Sequence, residues 1–137
     1  MIKKTDFLVI GSGIAGLSYA LKVAQFGKVT IVTKKKIQKT NTALAQGGVA
    51  SVFSKIDSFD AHIKDTLDAG DGLCNKEVAT MVVKDGPQRI KELVKQGANF
   101  NKQGKGKYDF SLGQEGGHSA KRIVYAQDLT GKEIEDT

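Results

Sequence analysis

With 137 residues, 39% of them hydrophobic, the chain has apolar content for one modest core, the size of a single domain. The net charge of +6 invites a nucleic-acid partner, but the short basic run Lys34-Lys35-Lys36 has no aromatic neighbours for base stacking, so it reads as a solvated face or a site for anionic ligands. Cys74 is the single cysteine, which excludes an intrachain disulfide framework and a cysteine zinc cluster, and no apolar run is long enough to span a bilayer. These features predict a cytoplasmic protein with neither a membrane nor a nucleic-acid partner.

Lys3 and Lys4 precede an apolar segment, as in a secretory signal, but Asp6 and the regularly placed glycines that follow argue for a first strand instead. Phe7 to Ile10 then breaks into Gly11-Ser12-Gly13-Ile14-Ala15-Gly16 and resumes with Leu17, Ala20, Leu21 and Ala24 at helical spacing. This is a strand feeding a tight turn into a helix, with Gly11 for the turn, Gly13 for close approach of a pyrophosphate and Gly16 for packing of helix on strand. Free amides at the start of the helix suit anionic oxygens, so the segment reads as the phosphate end of a dinucleotide site. Gly27 stops the helix, and Val29 to Val32 is the second strand.

Thr33-Lys34-Lys35-Lys36 stands where such a βαβ unit usually carries an acid for the ribose. Thr33 can bond a ribose hydroxyl and a lysine favours a phosphate, so on the residues alone NADP competes with other dinucleotides. Residues 40–53 are low in charge and rich in small side chains, fit to lie against a flat ligand or to form a buried loop over a sheet end. Asn41, Thr42 and Gln46 offer polar groups there, and Gly47-Gly48 offers backbone amides.

Ser58 caps a helix predicted through about Ala69, on which His62 is read as a surface residue. Asn75 caps another helical stretch, and Gly86-Pro87 is expected to restart the chain into a further one that ends at Gly97. Residues 101–108 form an exposed turn. In Gln114-Glu115-Gly116-Gly117-His118-Ser119, an acid and an imidazole lie three residues apart across two glycines, so both could reach one bound molecule, although a polar turn is the commoner reading of such a pair by itself. Arg122 to Tyr125 reads as a short strand, and Thr130-Gly131-Lys132-Glu133 has the form of a capping box for a helix beginning near Gly131. That helix has little apolar face before Thr137, which leads to the expectation of a longer polypeptide.

Three blocks carry a resemblance: Gly11-Ser12-Gly13-Ile14-Ala15-Gly16, Asn41-Thr42-Ala43-Leu44-Ala45-Gln46-Gly47-Gly48, and Glu115-Gly116-Gly117-His118-Ser119. In this order they resemble the succinate dehydrogenase and fumarate reductase flavoprotein superfamily, and within it the L-aspartate oxidase family, along essentially the whole chain. The resemblance implies an α/β fold, a Rossmann-like FAD-binding βαβ unit with a parallel sheet. Residues 1–137 would be the N-terminal portion of that domain. The rest of it with its C-terminal glycine motif, the proton-transferring arginine, the capping domain and a C-terminal helical domain would follow.

It further implies FAD, with Ser12 to Ala15 at the pyrophosphate, Lys34 near the adenosine and Asn41 to Gly48 along the flavin. Membrane-bound members attach FAD through a histidine where this chain has Asn41, so noncovalent FAD is expected. The implied reaction is oxidation of L-aspartate to iminoaspartate, with oxygen or fumarate as acceptor, as the first step of NAD biosynthesis, and quinolinate synthase as a partner. Glu115 would orient the substrate by engaging its ammonium, with His118 beside it, and residues 1–137 alone would be inactive. The alternatives are a fumarate reductase or succinate dehydrogenase flavoprotein subunit, and a noncatalytic nucleotide-binding remnant.

Overall fold

The computed structural model describes residues 2–34 and 40–137. Its first unit follows from two short β-branched runs that flank a helix. Strands β1 (Phe7–Ile10) and β2 (Val29–Val32) pair in parallel, Phe7 opposite Val29 and Ile10 opposite Val32, and helix α1 (Ile14–Val23) makes the crossover between them. Asp6 fixes the register from outside by accepting a hydrogen bond from Lys28 N at 2.7 Å. Alternation along β1 turns Val9 into the protein while Leu8 and Ile10 stand exposed on the opposite face.

A four-residue helix, α2 (Asn41–Leu44), follows, started by Thr40, whose hydroxyl accepts from Ala43 N. The chain then enters β3 (Val49–Ala50), which belongs to a second sheet that the sequence reading did not anticipate. That sheet is antiparallel, with β5 (Ile123–Val124) in the middle, flanked by β3 and by β4 (Leu112–Gly113). The expected parallel sheet is therefore the β1–β2 pair, and the small residues around Val49 form a sheet edge and not a free loop.

Two helices cover this sheet. Ser58 caps α3 (Phe59–Ala69) by accepting from Ala61 N, and Asn75 caps α4 (Lys76–Gln96) by accepting from Val78 N, both as expected. The expected restart at Gly86-Pro87 does not occur, since α4 runs unbroken through both residues. Packing overrides the proline: Val83 and Ile90, on either side, are buried on one face, and Gly86 admits Ser51, whose hydroxyl would lie 3.2 Å from a Cβ at that position. Gly97, at φ +132°, ends the helix as expected, its amide bonded to Leu93 O.

Between α4 and the antiparallel sheet sits the main core of Ile90, Ala98, Phe100, Phe110, Val124 and Ala126. Phe110 is its hub, meeting Phe53 edge-to-face with centroids 4.8 Å apart and Phe100 likewise at 5.9 Å. Such pairs add about 0.5–1.5 kcal/mol each beyond the area they bury. Residues 102–110 form the expected turn, closed by a bridge between Lys102 and Phe110. The chain ends in α5 (Thr130–Asp136), where expected, but without the predicted capping box. The Thr130 hydroxyl accepts from Ala126 N and donates to Gly47 O, and Glu133 accepts instead from Asn99 N.

Candidate FAD site

The glycine turn has the geometry its spacing predicts. Gly11 adopts φ +106°, open to glycine alone at no steric cost, and its amide donates to Val32 O at 2.8 Å, so the turn hangs from the end of β2. A Cβ at Gly16 would overlap the Gly11 carbonyl, which is why the helix can approach the strand so closely. Gly13 is the extended N-cap of α1, and the first intrahelical bond runs from Leu17 N to Gly13 O. The amides ahead of it lie outside the helical ladder, where a phosphate would be received. Beside Gly11 the space is open, with nothing within 4 Å of an added Cβ.

Two hydroxyls tie this turn to its neighbours. The buried Ser12 donates to Thr33 Oγ1 at 3.0 Å, joining the turn to the residue after β2, and Lys34 follows it, exposed. Lys35 and Lys36, the rest of the basic run, lie outside the described residues. Thr42, on α2, accepts from Ile14 N at 3.1 Å, so the second block is fastened directly onto the helix start of the first.

The Asn41 to Gly48 segment is in turn held from the far end of the chain. Helix α5 lies against it: Gly131 N donates to Ala45 O at 2.9 Å, Thr130 Oγ1 to Gly47 O at 2.6 Å, and the Thr40 hydroxyl to Glu135 at 2.7 Å. Ala43 is half-buried, while Asn41, Leu44, Ala45, Gln46 and Gly47 face solvent. The two glycines have different duties. Gly48 is required by packing, since a Cβ there would overlap Ile123 and lie 2.7 Å from Val124 O, whereas Gly47 remains exposed beside the Glu115 carboxylate, whose Oε1 would be 3.1 Å from its Cβ.

The third block thus meets the second, with Glu115 exposed over Gly47. His118 is half-buried and already engaged, its Nδ1 lying 3.2 Å from Arg122 Nη1. Sequence reasoning passed over the cluster behind it. Arg122, read only as part of a strand, is fully buried; its Nε and Nη2 grip Asp57 at 2.9 and 2.7 Å, and its Nη1 reaches Asp65 at 2.5 Å. An arginine adjoining an Ile-Val strand is a signal that a buried cation needs acid partners, but nothing in the sequence singles out Asp57 and Asp65 among the acids upstream.

Asp65 also accepts from the Ser119 amide and hydroxyl, both at 2.7 Å, and these bonds with the guanidinium hold its carboxyl well below the usual range despite burial. For Asp57, burial pushes the pKa up, but the hydrogen bonds from Arg122 and Ser58 N outweigh it and the net shift is downward. Bonding to Asp57 and then to Asp65 raises the guanidinium pKa against the effect of burial. His62, predicted on the surface, is buried, because the face of α3 that carries Ile63 turns inward over this cluster. Its ring meets His118 edge-to-face at 5.8 Å, and burial first, then the charge of Arg122, pushes its pKa down.

An adenine dinucleotide with a flat ring needs a phosphate cradle and a small-residue floor contiguous with it, and the Gly11–Gly16 turn, bonded through Thr42 to the Asn41–Gly48 segment, is the candidate for both. The family model described as FAD binding domain matches residues 6–137. The tobacco (Nicotiana tabacum) protein L-aspartate oxidase 2-a, chloroplastic, is 51% identical over 95% of this chain, and the L-aspartate oxidase of Yersinia pestis is 43% identical over 97%. The chain spans 20% and 25% of the lengths of these two relatives.

Among solved structures, Mycobacterium smegmatis Sdh1 superposes with a TM-score of 0.87 at 33% identity, covering 96% of this chain and 22% of that one. An E. coli quinol fumarate reductase FrdA variant does so with 0.86 at 29%, covering 96% and 23%. The cofactor left open by the Thr33-Lys34 region is thereby FAD and not NADP. From turn to diglycine, the chain belongs to the FAD-binding domain family, with the Rossmann-like unit of the succinate dehydrogenase and fumarate reductase flavoproteins.

Proposed function

We propose that residues 1–137 supply the N-terminal portion of the FAD-binding domain of an L-aspartate oxidase, which converts L-aspartate to iminoaspartate with oxygen or fumarate as electron acceptor. The observation that carries this reading is the convergence of three sequence blocks on one surface: Thr42 bonded to Ile14 N, and Glu115 standing over Gly47. The names of the tobacco and Yersinia relatives support the substrate.

Bound FAD supplies a two-electron acceptor for the amino acid. The chain's own residues hold and orient. The amides of Gly13 and Ala15, on either side of the Ile14 amide held by Thr42, receive the pyrophosphate, Thr33 and Lys34 flank the adenosine end, and Asn41 to Gly48 line the flavin. The Asn41 carboxamide is too weakly nucleophilic to form a bond to the isoalloxazine, so FAD is held noncovalently. Glu115 engages the substrate ammonium, since a carboxylate facing a substrate carboxylate would repel it. His118 lies on the same loop.

No helix among the described residues is long and apolar enough to cross a membrane. The single Cys74 fits a reducing compartment, and we read the protein as cytoplasmic, delivering iminoaspartate to quinolinate synthase. The similarity to Sdh1 and to a quinol fumarate reductase supports a second reading, a respiratory flavoprotein subunit. Acid precipitation of the yellow holoprotein separates the two. Flavin released to the supernatant, together with oxygen consumed on addition of L-aspartate, is expected; flavin retained in the pellet, or succinate oxidised in place of aspartate, refutes the oxidase.

A further inference from the structure

A guanidinium carries only donors. Arg122 Nη1, 3.2 Å from His118 Nδ1, therefore requires that nitrogen to accept, and the ring proton must lie on Nε2. The guanidinium has no freedom to turn away, since Asp57 takes Nε and Nη2 together and Asp65 takes the other hydrogen of Nη1. Asp65 also binds the amide and hydroxyl of Ser119, fixing the backbone next to His118, and His62 confines the ring from its side.

We propose that Arg122 is a positioning residue: by donating to His118 Nδ1 it fixes the tautomer with the proton on Nε2, so that the imidazole serves a substrate carboxylate as a hydrogen-bond donor and not as a base. This rests on the reading of the site as one for a dicarboxylic amino acid. Asp57 and Asp65 belong to the same device, one holding the guanidinium plane and the other joining it to the loop. The division of labour on the loop is then by charge, Glu115 toward the ammonium and His118 toward a carboxylate.

The test uses the FAD-loaded protein that carries this chain, labelled with 15N-histidine; the His118 resonances are those lost in His118→Gln. The Nε2–H pattern is expected for His118, and a proton on Nδ1 overturns the proposal. Arg122→Lys, whose single nitrogen drawn to Asp57 cannot also stand at the Nη1 position beside His118, is expected to lose the single-tautomer signature; an unchanged signature in a folded Arg122→Lys protein overturns the role of Arg122.

Glutamine retains an N–H donor near the Nε2 position. His118→Ala is accordingly expected to raise KM for aspartate about 10- to 100-fold with a smaller change in kcat, and His118→Gln to recover most of that loss. Glutamine as damaging as alanine, or alanine without effect, overturns the donor role. A wild-type holoprotein that ignores aspartate sinks the oxidase reading instead, while the tautomer measurement still decides what Arg122 does.

Discussion

Replacing Gly131 by alanine sets two effects of opposite sign against each other. Within a helix the exchange is favourable by up to about 1 kcal/mol on propensity alone. Here the added methyl would overlap Thr42 O and lie 2.7 Å from Ala45 O and 2.9 Å from Ala45 Cβ. Two of these obstacles are backbone, which cannot swing aside, so α5 must back away from α2. That retreat breaks the bonds from Gly131 N to Ala45 O and from Thr130 to Gly47 O. Overpacking costs about 1–3 kcal/mol and two hydrogen bonds about 1 kcal/mol each, which leaves a net loss of about 2–4 kcal/mol after the helical gain.

Urea denaturation of wild type and Gly131→Ala measures that loss, and FAD titration followed by flavin fluorescence measures the effect on the segment α5 restrains. Lower stability and weaker FAD binding are both expected. A Gly131→Ala protein as stable as wild type, or more so, would show that α5 does not press on α2 as described. Reduced stability with unchanged FAD affinity would show that the Asn41 to Gly48 segment needs no such support.

Thr42→Val removes the acceptor of Ile14 N while keeping the shape of the side chain, and should weaken FAD binding by about 3- to 10-fold through about 0.5–1.5 kcal/mol, with Thr42→Ser restoring it, in the same titration. Stability should fall in two stages as pH is lowered. The pKa of His62 is depressed by folding below its ordinary 6.5, so its contribution is complete above about pH 6.5 and is lost as the unfolded chain takes up the proton below it. Asp57 and Asp65, depressed below 3.8, contribute fully above that value and lose their contribution only in stronger acid. Urea midpoints measured from pH 8 to 2 should show the first stage and the onset of the second, and His62→Gln should remove the first while leaving the second.

What could be read in advance was what neighbours in sequence decide. The Phe7 to Gly16 turn, the caps at Ser58 and Asn75 and the stop at Gly97 all depend on contacts within a few residues, and each is found in place. The errors have one origin, competition from distant partners. Pro87 and Gly86 suggest a break until Val83, Ile90 and Ser51 are seen to hold α4 straight across them. Thr130 was assigned to its own helix start, but Gly47 O, 83 residues away, takes its hydrogen.

The antiparallel sheet escaped because each of its strands is two residues long, too short to show a period. Of the site, the three blocks were legible and the Arg122 cluster was not. Its acids lie 65 and 57 residues upstream of the arginine, and nothing local marks them as partners.

The attachment of α5 to residues 40 to 47 also imposes an order on synthesis. Bonds spanning 83 and 95 positions cannot form until the ribosome has released the later partner, although β1, α1 and β2 pair within the first few dozen residues. High sequence separation of this kind slows closure and leaves the earlier segment unsatisfied in the interval. On the proposed site, the nascent polypeptide would present its diphosphate cradle well before its platform for the ring system, and cofactor loading is expected to follow the emergence of α5.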